Sequence, residues 1–191
     1  MSKGEKEIAN TKSQLRDFYR KERKARFIAD SWLHILSAAE FTNSNSKNFA
    51  SYLSYDVEPS TIDINKKLIQ SGANLFLPRL LKNNDVEWVQ WSGDEKQLKK
   101  VGKILEPIGT AVEPKLDVII VPALHIDQDG NRLGQGGGSY DRALARSSAW
   151  KVALVHPGEI TSEALPTNTY DQKVDAAATP MMLIKIGRAH V

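Results

Sequence analysis

DVIIVPALHIDQDGNRLGQGGGSYDRALARSSAWKVALVH, residues 117–156, decides how this chain folds. Val118, Ile119, Ile120 and Val121 form an unbroken β-branched run, the composition of a strand buried on both faces at the centre of a parallel sheet. KVALVH (151–156) reads as a second buried strand, and SYDRALARSSAW (139–150) between them is patterned as a helix. Strand, glycine-rich turn, helix and strand in that order predict an α/β fold: a single-domain, mainly parallel sheet with helices on both faces.

Upstream, NFASYLSY (48–55) reads as a strand and ANLFLPRL (73–80) as another, ended by Pro78. STIDINKKLIQSG (60–72) between them is a helix with Ser60 or Thr61 as N-cap and Gly72 as its stop, so the three make a crossover unit. EWVQW (87–91) alternates like a sheet edge or hairpin, DEKQLKKVGKIL (94–105) has weak helical character, and PMMLIKI (180–186) supplies a last strand. From about residue 10 to 40, Leu15, Phe18, Ala25, Ile28, Ala29, Trp32 and Leu36 recur near helical spacing, which predicts one long amphipathic helix with its basic residues mostly on other faces. FTNSNSKN (41–48) closes that helix as a loop. No repeat or linker interrupts the pattern, so residues 1–191 are expected to form one domain.

Composition narrows the function. With 41% hydrophobic and 26% charged residues among 191, and no apolar run approaching the roughly 18 residues of a membrane helix, a soluble protein without a membrane partner is expected. The N-terminal residues lack the apolar core of a secretory signal, so a cytoplasmic location is expected. The absence of cysteine excludes a disulfide framework and thiolate chemistry. His34, His125, His156 and His190 have no metal-binding spacing, and no zinc site is expected. A net charge of +3 is small for a nucleic-acid coat, although Lys12, Arg16, Arg20, Lys21, Arg23, Lys24 and Arg26 crowd one segment.

The glycines after Leu133 carry the chemistry. A glycine-rich turn into a helix lets backbone N–H groups converge on a phosphate without a Cβ in the way. A P-loop needs Lys and then Ser or Thr after its last glycine, and a dinucleotide fingerprint needs glycine or alanine at Ser139, so neither motif is present. Arg132 before the loop can pair with phosphate oxygens, and Asp141 after it can hold Mg²⁺ against those oxygens. A flexible surface hairpin is the alternative for the glycines alone. Asp127-Gln-Asp129-Gly130 reads as a turn rather than a calcium loop, since the later ligands are missing.

From Pro122 to Asp141, PALHIDQDGNRLGQGGGSYD resembles the signature of the 5-formyltetrahydrofolate cyclo-ligase family, also called 5,10-methenyltetrahydrofolate synthetase. Lys12 and Arg16, four residues apart, Tyr52 to Glu58 with Thr61, Leu77-Pro-Arg79, Glu106-Pro107 and the segment from Leu165 to Asp175 are similar to family features in the same order. The resemblance implies ATP- and Mg²⁺-dependent closure of 5-formyltetrahydrofolate to 5,10-methenyltetrahydrofolate, with phosphorylation of the formyl oxygen, attack by N10, and release of ADP and phosphate.

Carried onto this chain, the family pattern implies that Lys12, Arg16, Arg132, Gly134, Gln135, Gly136, Gly137, Gly138, Ser139 and Tyr140 bind ATP. Arg132 would act catalytically on the transferring phosphoryl group. Asp141 and Asp171 would hold Mg²⁺, with Asp175 as a substitute for Asp171. Tyr55 and Glu58 would bind the pterin, and residues Gln135 to Ser139 would lie close to both substrates. Ser139 and Gln135 depart from the family, which commonly has an aromatic residue at the first position and Arg or an aromatic at the second. Arg20 and Lys24 are read as solvated. The partners implied are a reduced folate and ATP, with a monomer expected and nucleic acid not expected. The competing reading is a non-catalytic nucleotide- or RNA-binding protein that keeps the phosphate loop.

Overall fold

The computed structural model describes residues 2–26 and 46–186. Ile28, Ala29, Trp32 and Leu36 of the expected N-terminal helix, most of the loop after it, and His190 lie outside the described residues.

The apolar run becomes β7 (Val118–Pro122), which pairs in parallel with β1 (Asn48–Ala50) on one side and β10 (Trp150–Leu154) on the other. β1 continues through α2 (Ile62–Gln70) into β2 (Asn74–Leu80), again in parallel, as the crossover reading expects. Beyond β2 lie β3 (Val86–Trp91) and β6 (Ala111–Val112), both antiparallel, and beyond β10 lie β12 (Ala176–Ala178), parallel, and β13 (Leu183–Lys185), antiparallel. The eight strands run in the order β13-β12-β10-β7-β1-β2-β3-β6.

Side chains alternate across the sheet as strand geometry requires. Val118, Ile120, Val152 and Leu154 pack with Ile64 and Leu68 of α2 on one face. Ile119, Val121, Ala153 and Ala177 pack on the other with Ala143 and Leu144 of α3 (Ser139–Ala145). Helices therefore cover both faces. From β1 the chain moves toward β2, and from β7 it moves toward β10, so the path diverges between two adjacent parallel strands. Such a switch point leaves a crevice at the strands' carboxyl ends, the usual ligand position in an open α/β sheet.

Several local expectations change. The strand expected over 48–55 stops at Ala50, because the Tyr52 carbonyl accepts from the Thr61 hydroxyl at 2.6 Å and from the Asn65 amide at 2.9 Å instead of from a neighbouring strand. Pro78 lies inside β2 rather than ending it, opposite Trp88. The β1 register ends at Phe76, so one flank of Pro78 has no partner strand and its missing N–H costs no ladder bond there.

DEKQLKKVGKIL is not a helix. After a 3-10 turn at Glu95–Gln97 it forms the hairpin β4 (Leu98–Val101) and β5 (Ile104–Pro107), turned at Gly102 with φ +61. The helix expected over 139–150 ends at Ala145. The glycine loop does not leave β7 directly. It follows β8 (His125–Asp127) and β9 (Arg132–Leu133), which form a small side sheet with β11 (Ile160–Thr161). The turn reading of Asp127 to Gly130 holds: Asp127 Oδ1 accepts the N–H groups of Asp129 and Asn131, and Gly130 has φ +81.

α1 (Lys3–Arg26) docks on the face opposite to the one expected. Phe18 is 56% exposed, and the buried residues of the helix are Lys12 and Arg23. Arg23 donates from Nε and Nη2 to the two oxygens of Glu159, both at 2.7 Å, and from Nη2 to the Ala123 carbonyl at 2.5 Å. Basic side chains reaching buried carboxylates and carbonyls, not an apolar stripe, hold α1 to the sheet's carboxyl end. No helix among the described residues is long and apolar enough to cross a membrane.

Candidate active site

The crevice at the switch point opens into a cleft of about 910 Å³. Tyr52 and Leu53 after β1, Pro122 at the end of β7, and Ala123 and Leu124 after it line the cleft. All the residues assigned to substrate, nucleotide or metal line this one cleft: Lys12 and Arg16 from α1, Tyr55 and Glu58 from the segment after β1, Arg132, the loop 134–138, Ser139, Tyr140 and Asp141, and Asp171.

One end gathers cations and carboxylates. Arg132, with 5% of its side chain exposed, donates from Nη2 to Asp141 Oδ1 at 3.0 Å and from Nη1 to the Pro122 carbonyl at 3.2 Å. The Lys12 ammonium donates to Asp171 Oδ2, which also accepts the Asn168 N–H at 2.7 Å. The Gln172 N–H donates to Asp141 Oδ1 at 3.1 Å, tying the two pairs together. Asp175 does not share this site. Its Oδ2 accepts the Lys151 N–H at 2.7 Å at the start of β10, the opposite end of the sheet, so it is no substitute for Asp171.

The glycine loop crosses between. Gly134 passes Arg132 so closely that a Cβ there would meet Nη1 at 2.5 Å. Arg16 Nε donates to the Gly134 carbonyl at 3.0 Å, and Gly136 takes φ +106 beneath the Arg16 guanidinium. Among the described residues, the N–H groups of Gln135, Gly136, Gly137 and Gly138 donate no hydrogen bond, so four donors are available to a bound anion.

The other end is less charged. Glu58 lies within reach of Tyr52 and Tyr140, and burial pushes its carboxyl up to about 7, against the lowering pull of the Tyr55 N–H at 3.2 Å, Arg23 and the Gln135 amide. Burial, reinforced by Glu58, also raises the Tyr52, Tyr55 and Tyr140 hydroxyls, keeping them neutral donors. Among the described residues the buried hydroxyls of Tyr52 and Tyr140 and the Arg132 Nε have no hydrogen-bond partner, as expected of groups available to a ligand. Leu80, Val86, Ile104 and Leu105 give this cleft an apolar wall.

Sequence reasoning missed some of the site. Arg20, read as solvated, donates from Nε and Nη2 to Gln135 Oε1 at 3.0 and 2.9 Å and from Nη2 to the Gln135 carbonyl at 3.1 Å. Its signal was available, since Lys12, Arg16 and Arg20 repeat every four residues and must share one helix face. The segment Asn168 to Gln172 was assigned through Asp171 alone, yet all five residues line the cleft. Trp88 and Trp91 pack in the sheet and do not line it. His125 is buried, stacked on Tyr19 with centroids 3.9 Å apart, and burial lowers it to about 4.

Oxygen-only ligands suit Mg²⁺, which is held through one or two carboxylates plus substrate phosphates rather than in an all-protein cage. Asp141 and Asp171 fit that role. Each uses one oxygen on a cation and an N–H, and among the described residues no three His, Asp or Glu side chains converge into a cage.

A model of the 5-formyltetrahydrofolate cyclo-ligase family matches residues 7–180. This chain belongs to that family. The 5-formyltetrahydrofolate cyclo-ligase of Mycolicibacterium smegmatis is 31% identical over 150 residues, covering 71% of this chain and 75% of the relative. The Escherichia coli 5-formyltetrahydrofolate cyclo-ligase is 30% identical over 140 residues, 69% of this chain and 76% of the relative. The solution structure of Aquifex aeolicus 5,10-methenyltetrahydrofolate synthetase superposes with a TM-score of 0.75 at 26% identity, covering 94% of this chain and 96% of that one. As a family member the chain is an enzyme, a cyclo-ligase with the fold of the methenyltetrahydrofolate synthetases.

Proposed function

We propose that this chain closes the ring of 5-formyltetrahydrofolate with ATP and Mg²⁺, giving 5,10-methenyltetrahydrofolate, ADP and phosphate. The observation that carries this is one cleft lined by three kinds of group: cations and carboxylates around free backbone N–H donors, Glu58 near neutral tyrosines, and the apolar side chains of Leu80, Val86, Ile104 and Leu105.

A formamide oxygen leaves poorly. Transfer of the γ-phosphoryl to that oxygen turns it into a phosphate leaving group. N10 then attacks the formyl carbon, the C–O bond breaks, and the departing phosphate carries off the oxygen and takes up the N10 proton. Positioning and charge neutralisation are what such a transfer needs from protein. Lys12 and Arg16 grip the polyphosphate, the N–H groups of residues 135–138 cradle it, and Arg132 neutralises the transferring group. Asp141 and Asp171 hold Mg²⁺, whose charge would offset that of the phosphates. Glu58 accepts the paired N–H groups of the pterin, and Tyr55 lines its pocket. Ser139, at the start of α3, offers a hydroxyl where the family has an aromatic ring. Arg20 and Arg23, the other basic residues on this side of α1, bond to Gln135 and Glu159 of this chain, which favours small-molecule partners over RNA.

Incubating the protein with 5-formyltetrahydrofolate and Mg-ATP, while following methenyl absorbance and ADP together, tests the proposal. Stoichiometric rise of both is expected. Nucleotide binding without either product would establish the non-catalytic reading instead.

A further inference from the structure

Among the described residues, the aromatic side chains that line the cleft are Tyr52, Tyr55, Tyr140 and Tyr170. The first three are buried or half-buried near Glu58, whereas Tyr170 is 76% exposed although it lines the same cavity. The loop that carries it is pinned. The Leu165 N–H donates to Asp127 Oδ2 and the Val174 N–H to the Gly130 carbonyl, both at 2.9 Å, which ties the two ends of the loop to the β8–β9 turn. Between them the Gln172 N–H reaches Asp141 of α3, the Asp171 carboxylate takes Lys12 of α1, and Asn168 Oδ1 accepts the Tyr170 N–H at 2.9 Å. The backbone under Tyr170 is therefore fixed, and the ring is what it presents.

The face of α1 in the cleft continues past Lys12 to Ala9, three residues and about 4.5 Å toward the start of the helix. Ala9 offers a methyl group where the other α1 residues of the cleft, Lys12 and Arg16, offer cations. In the proposed function the transferring phosphoryl lies at Arg132, and Lys12 and Arg16 grip the rest of the polyphosphate. The nucleoside then extends from the Lys12–Asp171 pair away from Arg132. Tyr170 is the chain neighbour of Asp171, and Ala9 lies one turn from Lys12, so these two residues flank that exit.

We propose that Tyr170 is the stacking platform for the base of ATP, with the small side chain of Ala9 leaving the space that the base fills. The proposal rests on the reading of the cleft as an ATP site. Stacking needs only the face of the base and an aromatic ring held beside it. A ring on an already fixed loop gives up little freedom when the base arrives.

The test measures binding of Mg-ATP and of Mg-tripolyphosphate by calorimetry without folate, so that no turnover intervenes, and binding of 5-formyltetrahydrofolate without nucleotide. Wild type, Tyr170→Phe and Tyr170→Ala are compared. Tyr170→Ala should bind Mg-ATP about tenfold more weakly, as for loss of one base–aromatic stack. Its affinities for Mg-tripolyphosphate, which has no base, and for 5-formyltetrahydrofolate should stay within about twofold. Tyr170→Phe, which keeps the ring, should match wild type with all three. Equal Mg-ATP affinity in wild type and Tyr170→Ala overturns the proposal. So does a parallel loss of Mg-tripolyphosphate, which marks a displaced loop and a broken Lys12–Asp171 pair, and so does a loss confined to the folate, which puts the ring on the other substrate. If wild type itself binds neither phosphate compound, the reading of the cleft as an ATP site fails and the proposal with it, a result visible without any variant.

Discussion

Arg23→Met should detach α1 and weaken the nucleotide end of the cleft from a distance. Arg23 and Glu159 each have 2% of their side chain exposed and are joined by two N–H···O bonds at 2.7 Å. Glu159 Oε2 also accepts the His156 N–H at 2.7 Å, so methionine at 23 strands a buried carboxylate with one remaining donor. Removing one partner of such a pair costs about 3–5 kcal/mol, chiefly because the survivor keeps its desolvation without its counter-charge. At roughly 2–4 °C per kcal/mol for a chain of this size, the midpoint of thermal unfolding should fall by about 6–20 °C.

Arg23→Met/Glu159→Met should recover most of that loss, since an apolar pair of similar volume leaves no charge buried. The assay is urea unfolding followed by tryptophan fluorescence, to which Trp88, Trp91 and Trp150 of the sheet contribute, for wild type, both single variants and the double. A loss under about 1 kcal/mol for Arg23→Met, or a double variant worse than either single, would refute the view that this ion pair clamps the helix. With the clamp intact as the reference, the ATP KM of Arg23→Met should rise more than the folate KM, because Lys12 and Arg16 ride on the same helix.

Asp141→Asn keeps an acceptor for Arg132 and the Gln172 N–H but loses its charge, so a Mg²⁺ titration of activity should shift to much higher concentration while folate binding is nearly kept; equal losses of both would mark Asp141 as structural. Gly134→Ala should lower kcat by about a hundredfold with little change in unfolding midpoint, because the added Cβ displaces the Arg132 guanidinium at 2.5 Å, and a wild-type kcat would disprove the close approach. Glu58 carries a pKa raised from 4.5 to about 7 in the folded protein, so its ionisation opposes folding: its contribution is full below about pH 4.5 and is lost as pH rises through 7. Glu58→Gln should therefore flatten the decline in stability over that range, measured by urea midpoints at pH 5 and 8, and an unchanged slope would refute the assignment.

The parts legible in sequence are those where one residue type has one use. Val118 to Val121 has the composition of a central strand and becomes one, and the glycines with Arg132 and Asp141 mark the loop. Lys12 and Arg16 announce a shared helix face by their spacing. Position-dependent features were not legible. β12 is three alanines, a composition with weak strand preference, and exists because β10 on one side and β13 on the other complete its ladder. The Lys-rich residues 94–105 suit a helix by composition, but Gly102 turns them into a hairpin that brings Ile104 and Leu105 to the cleft. For α1, the apolar spacing anticipated a helix, observed over Lys3–Arg26, but not its docking face, since buried Glu159 and the carbonyls after β7 select basic side chains instead.

A helix fastened by a few long polar side chains rather than by a continuous apolar seam has discrete points of attachment. Its amide protection against hydrogen exchange should rise in steps at Lys12, Arg16, Arg20 and Arg23, and fall toward Lys3, which has no such anchor among the described residues. Because three of those anchors end in the cleft, occupancy of the cleft becomes measurable as slowed exchange along α1, a report carried by backbone amides that the ligand itself never touches.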